Sequence, residues 1–142
     1  MILIAHRGNT HGPKPEYENY PQYVTEALKA GYDVEIDVWF TDNKFYLGHD
    51  NPQYEVPLIF LENEKLWCHA KNLGALEIMQ GLNVHYFWHQ NDDITLTSKN
   101  FVWTFPNKSL IYNSICVLPE LYNQEITSKA TGICSDYISK YK

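Results

Sequence analysis

The stretch YDVEIDVWFTDNKFYLGHD, residues 32–50, places two acids inside an apolar strand and ends on a histidine and an aspartate. Alternate side chains of a strand share a face, so Glu35 and Asp37 point the same way, about 7 Å apart. The opposite face is apolar, and the turn at residues 41–44 predicts a hairpin. We therefore expect the apolar face to pack on helices and the two acids to point inward.

Two carboxylates in an apolar interior repel each other unless a positive group compensates them. A divalent cation with oxygen ligands, such as Mg²⁺ or Ca²⁺, would do so. The alternative is an edge strand whose acidic face lies in water, and this pair alone leaves both interpretations open.

Length and charge narrow the class of protein. The 142 residues predict one domain over residues 1–142, and the net charge of −6 gives no basic footprint for nucleic acid. No apolar run approaches the ~20 residues of a membrane span. The opening MILIAHRG is typical of a first strand and not of a signal peptide, which predicts a cytoplasmic location. Three widely spaced cysteines fit reduced core residues better than disulfides or a zinc site.

Short apolar runs alternate with helical patterns along the chain. Helices are predicted over 21–30, over 73–81 with Asn72 as N-cap, and with a weaker pattern over 119–129. The order favours a mostly parallel sheet or barrel with one hairpin, but later connections are too short for a full helical layer. The eight predicted strands are 2–6, 33–40, 44–49, 65–71, 84–89, 101–105, 114–118 and 132–138.

Side chains that can transfer protons or bind anions lie at the ends of these predicted strands. His6 can exchange a proton near neutral pH, Arg7 offers a fork that matches phosphate oxygens, and Gly8 allows close backbone approach. The hairpin ends on His49 and Asp50. In parallel α/β domains sites form at the carboxyl ends of strands, so these groups are expected to converge.

A further pair, His69 and Lys71, shares one face of the strand WCHAKN, although an exposed strand face is the simpler alternative. Two histidines can act as general base and general acid, while a metal ion and cationic side chains neutralise a growing negative charge. This set of groups suits phosphoryl transfer or phosphodiester hydrolysis.

IAHRG, then Glu18-Asn19, then VEIDVWFTDNKFYLGHD together resemble the glycerophosphodiester phosphodiesterase family, within the phospholipase-C-like phosphodiesterases. That family shows, in this order, HRG, Pro-Glu-Asn, an E-x-D strand, a T-x-D-G-like turn and a terminal His-Asp. In this sequence, residues 15–18 read Pro-Glu-Tyr-Glu in place of an uninterrupted Pro-Glu-Asn. The likeness is strong over the first 50 residues and extends weakly to HAK at 69–71 and to GICSDYI at 132–138.

The resemblance implies an α/β fold, a compact and shortened TIM-like (β/α) barrel with an incomplete outer helical layer and one β-hairpin. His69 stands where the family usually has a third carboxylate. Because an imidazole nitrogen also suits Mn²⁺ or Zn²⁺, the site could bind these ions as well as Mg²⁺ or Ca²⁺. The implied roles are catalysis by His6 and His49, phosphate binding by Arg7 and Lys71, and metal binding by Glu35, Asp37 and His69.

Other side chains are candidates for the substrate pocket, although His89 and Trp103 also suit a rim and a core position. The substrate expected is a small-molecule or lipid-derived phosphodiester, and exposed sides of a shortened barrel would favour a homodimer. The pocket candidates are Glu18, Asn19, Asp50, His89, Trp103 and Asp136.

The function predicted is therefore a metal-dependent phosphodiesterase with histidine acid–base catalysis, by attack of either water or a substrate hydroxyl. The alternative is a catalytically weak protein that binds or senses a phosphate ligand. The missing third carboxylate and the short chain favour this alternative, whereas the presence of both His6 and His49 favours the enzyme.

Overall fold

A computed structural model describes residues 1–142 as one curled, mixed β-sheet that forms a half-barrel, with three short α-helices. The helices are α1 (Pro21–Lys29), α2 (Leu58–Leu61) and α3 (Leu73–Met79), and 3₁₀ turns span Pro119–Leu121 and Ile138–Tyr141. None of the helices is long and apolar enough to cross a bilayer. The strands are β1 (Ile2–His6), β2 (Asp33–Thr41), β3 (Lys44–Leu47), β4 (Tyr54–Val56), β5 (Leu66–Ala70), β6 (Tyr86–Phe87), β7 (Ile94–Leu96), β8 (Val102–Thr104), β9 (Ser114–Val117) and β10 (Ala130–Ser135).

Strand β2 is the hub of the sheet because it pairs with three other strands. Its first half lies parallel to β1 and its second half antiparallel to β3, while β5 runs parallel along the other edge. From β1 the sheet continues through β10, β9 and β8, and from β5 it continues to β6. The hairpin predicted between β2 and β3 is confirmed: Asp42 and Asn43 both have positive φ, as a tight hairpin turn requires.

The predicted TIM-like barrel with an outer helical layer is wrong. Beyond α3 the connections are too short and too weakly periodic for helices, so the later strands follow one another through loops. β7 returns antiparallel to β8, and β6 pairs only with β5, so the ladder ends in a half-barrel. The sheet therefore curls without a ring of helices around it.

A strand forms in each of the eight predicted stretches, although only Tyr86–Phe87 forms in 84–89 and the last strand is Ala130–Ser135 instead of 132–138. The helices α1 and α3 are confirmed with slightly shorter bounds. The predicted helix over 119–129 is wrong, since only the turn Pro119–Leu121 forms and Asn123 follows in the left-handed region, with φ of 51°. Sequence patterns also missed β4 and β7, which are three-residue strands paired antiparallel to a neighbour.

The two faces of the sheet have different environments, as the alternation in β2 predicts. Val34, Ile36 and Val38 are fully buried in the larger core cluster, which includes buried residues of all three helices. A second cluster covers the opposite face of the sheet with Ile4, Trp67, Phe87, Trp103, Ile115, Val117 and Cys134. The three cysteines are buried and unpaired, as predicted.

Helix α3 is fastened to β2 by one side chain. The Asn72 Oδ1 accepts from the backbone N–H of Ala75 at 2.9 Å, which confirms the predicted N-cap, and also from the N–H of Phe40 at 3.1 Å. Its amide donates to the Phe40 carbonyl at 2.9 Å. The same asparagine therefore caps the helix and satisfies backbone groups of β2 where β5 has ended.

We expect His85 to make the fold sensitive to acid. Its Nε2 lies 2.7 Å from Thr97 Oγ1, and burial, reinforced by the charge of Lys99, lowers the pKa of His85 to about 4. Above pH ~6.5 both folded and unfolded protein hold the neutral ring; between pH ~6.5 and 4 only the unfolded protein takes up the proton. Acidification across this interval should therefore cost roughly 1–3 kcal/mol of stability through His85.

The measurement is urea unfolding from pH 7.5 to 4 for the wild type and for His85→Gln, which keeps a polar group toward Thr97 but does not titrate. The wild type should lose more stability than the variant over this interval. Parallel pH profiles for the two proteins would contradict the prediction.

Candidate metal centre

The face of the sheet opposite the helices carries two acids and a histidine close to one another. Register places Asp37 directly beside His69, and Glu35 beside His6. One ligand atom each from Glu35, Asp37 and His69 lies within 4.8 Å of the other two, which is a spacing that one ion at about 2.0–2.4 Å from each atom can span. Glu35 is 3% exposed and Asp37 1%, so the acidic face is not in water. These three residues could hold a metal ion.

The orientation of His69 favours such a role. Its Nε2 lies 2.9 Å from the carbonyl oxygen of His89, and since a carbonyl only accepts, Nε2 carries the proton. The Nδ1 atom then faces Asp37 Oδ1 at 3.4 Å and Glu35 Oε1 at 3.8 Å. Phe87 stacks on the ring with centroids 4.9 Å apart. A metal-binding histidine usually donates from one ring nitrogen to a backbone carbonyl or a carboxylate and turns the other nitrogen toward the ion. His69 has this arrangement, with Nδ1 facing the two acids.

The two acids are balanced unequally. Asp37 Oδ2 accepts from the Asn19 amide at 2.9 Å and lies 3.1 Å from Arg7 Nε, whereas Glu35 Oε2 and Asp37 Oδ1 are buried without a hydrogen-bond partner. Burial alone would raise the pKa of Asp37, but His69, Arg7 and Asn19 outweigh it and hold that pKa well below its usual range. Burial and the charge of Asp37 raise the pKa of Glu35. The unpartnered oxygens belong to the two residues that a cation would join.

His6 ends β1 and belongs to a partly buried chain of hydrogen bonds. Its Nδ1 lies 2.7 Å from Asp136 Oδ1, and its Nε2 lies 3.8 Å from Glu35 Oε2. Asn9 donates to the same Asp136 oxygen at 2.8 Å and to Glu18 at 3.1 Å. Burial lowers the pKa of His6, but the bond to Asp136 and the charge of Glu35 outweigh burial and raise it. The Asp136 contact fixes the ring and leaves Nε2 toward the acids.

Arg7 occupies a strained turn between β1 and the segment that leads to α1. Its φ of 55° lies in the left-handed region, and its backbone is held on both sides, because its N–H donates to the Glu35 carbonyl and its carbonyl accepts from the N–H of Asn19. The guanidinium lies 3.1 Å from Glu18 and 3.1 Å from Asp37. Two acids thus fix the guanidinium in place, and its remaining N–H groups can meet a ligand.

Two cavities adjoin this group of residues, and His6 and Arg7 line both of them. The larger, of about 500 Å³, is lined by polar groups and two prolines, including Glu18, Asn19 and Asp136. The smaller, of about 240 Å³, is lined by Glu35 and by His69 and has an apolar wall.

The remaining predicted residues lie at different distances from the centre. His49 lines the larger cavity at its rim, 45% exposed, with its Nδ1 2.8 Å from the almost fully exposed Asp50. Lys71 follows β5, where its backbone N–H donates to the Val38 carbonyl, but its side chain lines neither cavity. The structure therefore does not bring Lys71 together with the other predicted phosphate-binding residue.

His89 and Trp103 both line the smaller cavity. His89 also supplies the carbonyl that accepts from His69, and its ring meets Phe105 edge-on with centroids 5.5 Å apart. Trp103 is 5% exposed and packs on Phe87 with centroids 4.6 Å apart, so it serves the core as well as the cavity wall.

Sequence patterns missed Asn9, which is fully buried and joins Glu18 to Asp136 while its Oδ1 accepts from the Tyr23 hydroxyl. Its position directly after AHRG was the available signal. They also missed Glu120, which accepts from the Ser135 hydroxyl and from the Asp136 N–H. No local signal marks Glu120, because it lies in the 3₁₀ turn Pro119–Leu121, 16 residues from Asp136.

No protein-family model, curated protein or solved structure matches this chain.

The unequal balance of the two acids predicts opposite effects of two isosteric substitutions in metal-free protein. Glu35→Gln removes a buried charge that has no hydrogen-bonded partner on Oε2, so it should raise the free energy of unfolding by roughly 1–2 kcal/mol. Asp37→Asn removes the charge opposite Arg7 and puts an amide against Asn19, so it should lower stability by roughly 2–4 kcal/mol.

Urea unfolding at pH 7 in EDTA measures both values. Each variant serves as the control for the other, because the two acids lie two residues apart on one face of β2 and are equally buried. A loss of stability in both variants would contradict the unequal balance.

Proposed function

We propose that the protein is a metal-dependent phosphodiesterase that hydrolyses a glycerophosphodiester-like or lipid-derived phosphodiester. The observation that carries this proposal is that three kinds of group lie together beside two cavities: a cluster that could hold a metal ion, an arginine fixed by two acids, and a hydrogen-bonded histidine–aspartate pair. The histidine and the arginine line both cavities. Hydrolysis of a phosphodiester is promoted by a metal ion that polarises a phosphoryl oxygen, by a cationic side chain that neutralises the negative charge, and by groups that transfer protons. The ordered motifs that resemble those of the glycerophosphodiester phosphodiesterase family favour the same reaction.

Glu35, Asp37 and His69 would hold a divalent ion. When bound, the ion would neutralise a phosphoryl oxygen and the charge that develops in the transition state. Two carboxylates with one imidazole suit Mg²⁺ and, because of the nitrogen ligand, Mn²⁺ or Zn²⁺ as well. Arg7 would bind a second phosphoryl oxygen through the N–H groups that Glu18 and Asp37 leave free.

His6 is suited to be the general base. Asp136 accepts from Nδ1–H, so Nε2 is left as the proton acceptor on the wall between the cavities. It would take a proton from water or from a substrate hydroxyl as the new phosphorus–oxygen bond forms. His49, which also lines the larger cavity, would give a proton to the leaving oxygen as the old bond breaks.

The activity test is hydrolysis of bis(p-nitrophenyl) phosphate and of glycerophosphodiesters with Mg²⁺, Ca²⁺, Mn²⁺, Zn²⁺ or EDTA. We expect turnover that EDTA abolishes and that falls by about 10²- to 10⁴-fold in His6→Ala and in His49→Ala. His11→Ala is the matched control, because His11 is exposed and lines neither cavity, and it should retain wild-type turnover. Equal turnover in all three variants would exclude histidine catalysis at this centre.

Metal binding is measured separately by calorimetric titration. Asp37→Asn and His69→Ala should each weaken binding of the activating ion by at least about tenfold. If the ion and inorganic phosphate bind but no diester is hydrolysed, the protein is a phosphate-binding or sensor protein and the enzymatic proposal is overturned.

A further inference from the structure

The smaller cavity has an apolar wall that the proposed reaction does not use. The cavity has a volume of about 240 Å³ and opens onto the candidate metal centre, since Glu35 and His69 line it. The larger cavity has no comparable wall, because polar side chains and prolines line it throughout. The apolar wall of the smaller cavity consists of Trp103, Phe105, Pro106, Val117, Leu118 and Leu121.

Leu118 is in an unusual conformation for its residue type. It follows β9 with φ of 48° and ψ of 53°, the left-handed region that bulky side chains rarely adopt. Its N–H donates to the Cys134 carbonyl at 2.7 Å, and its carbonyl accepts from Leu121 at 3.1 Å. Residues held in such conformations are concentrated at ligand sites, and this one lines the cavity.

Parts of the same wall remain in contact with water. Phe105 is 39% exposed and Leu121 60% exposed, although both line the cavity. An apolar group that entered the cavity would cover this surface and gain the free energy of its burial.

We propose that this cavity is a subsite for the apolar substituent of a phosphate ester, an aryl ring or a short alkyl group. The inference rests on the proposed function, which puts the phosphoryl group beside Arg7, where the two cavities meet. A cavity of about 150 Å³ is enough for a benzene ring, so 240 Å³ accommodates one ring or a short chain. The second substituent would then lie in the polar cavity, near His49. The substrate class is a mixed diester with one apolar and one polar arm.

The test compares two ligands of equal charge, phenyl phosphate and methyl phosphate, by calorimetry in Mn²⁺. The wild type should bind phenyl phosphate at least about tenfold more tightly. Leu118→Asn should reduce this ratio to about threefold or less and leave methyl phosphate binding unchanged. Asparagine tolerates the left-handed backbone, so the variant should keep its thermal unfolding temperature. Tyr122→Ser is the matched control, because Tyr122 is 58% exposed and lines neither cavity; it should keep the wild-type ratio.

The outcomes separate this inference from the proposed function. Equal binding of the two esters by the wild type would overturn the subsite, while diester hydrolysis would still stand. An unchanged ratio in Leu118→Asn would also overturn it, because the preference would then arise away from this wall. If neither ester binds and no diester is hydrolysed, the proposed function fails and the subsite fails with it.

Discussion

The burial of two carboxylates on one face of β2 is the constraint on which the centre of this protein depends. Glu35 and Asp37 lie in an almost dry interior, and neither can stay charged there without positive or hydrogen-bonding groups around it. The surroundings meet this demand for Asp37, through Arg7 and Asn19, and leave Glu35 Oε2 unpartnered. Asp37 is held in place and Glu35 keeps one oxygen free, so the two carboxylates together could bind a cation.

The arrangement of the centre was more predictable than the fold that carries it. The period of two in β2 decides which side chains face inward, and the turn residues Asp42 and Asn43 decide the hairpin; both signals are local. Whether the sheet closes and how many helices cover it depend on weakly patterned connections after α3. β4 and β7, with three residues each, are too short to show a pattern.

The incorrect barrel therefore did not prevent the expected meeting of His6, Arg7, Glu35, Asp37 and His69, although it did not bring Lys71 to them. The centre needs only the parallel neighbours β1, β2, β5 and β10, whose register puts His6 beside Glu35 and Asp37 beside His69. The positions of these side chains do not depend on outer helices. What sequence patterns could not supply were contacts across long separations, such as His6 with Asp136, 130 residues apart, because no local spacing encodes them.

The imidazole of His69 changes what the centre can attract. A third carboxylate in its place would bind a cation more strongly but would leave the loaded centre one charge unit less positive. With a neutral imidazole, the centre loaded with the same divalent ion would present one more unit of positive charge to the phosphate ester of the proposed reaction. The carbonyl of His89 keeps the proton on Nε2, which holds the ring in the form that a cation needs. In the proposed enzyme, His69 would thus lower the affinity for the ion and increase the attraction for the anionic ligand, and Arg7 beside it would act in the same direction.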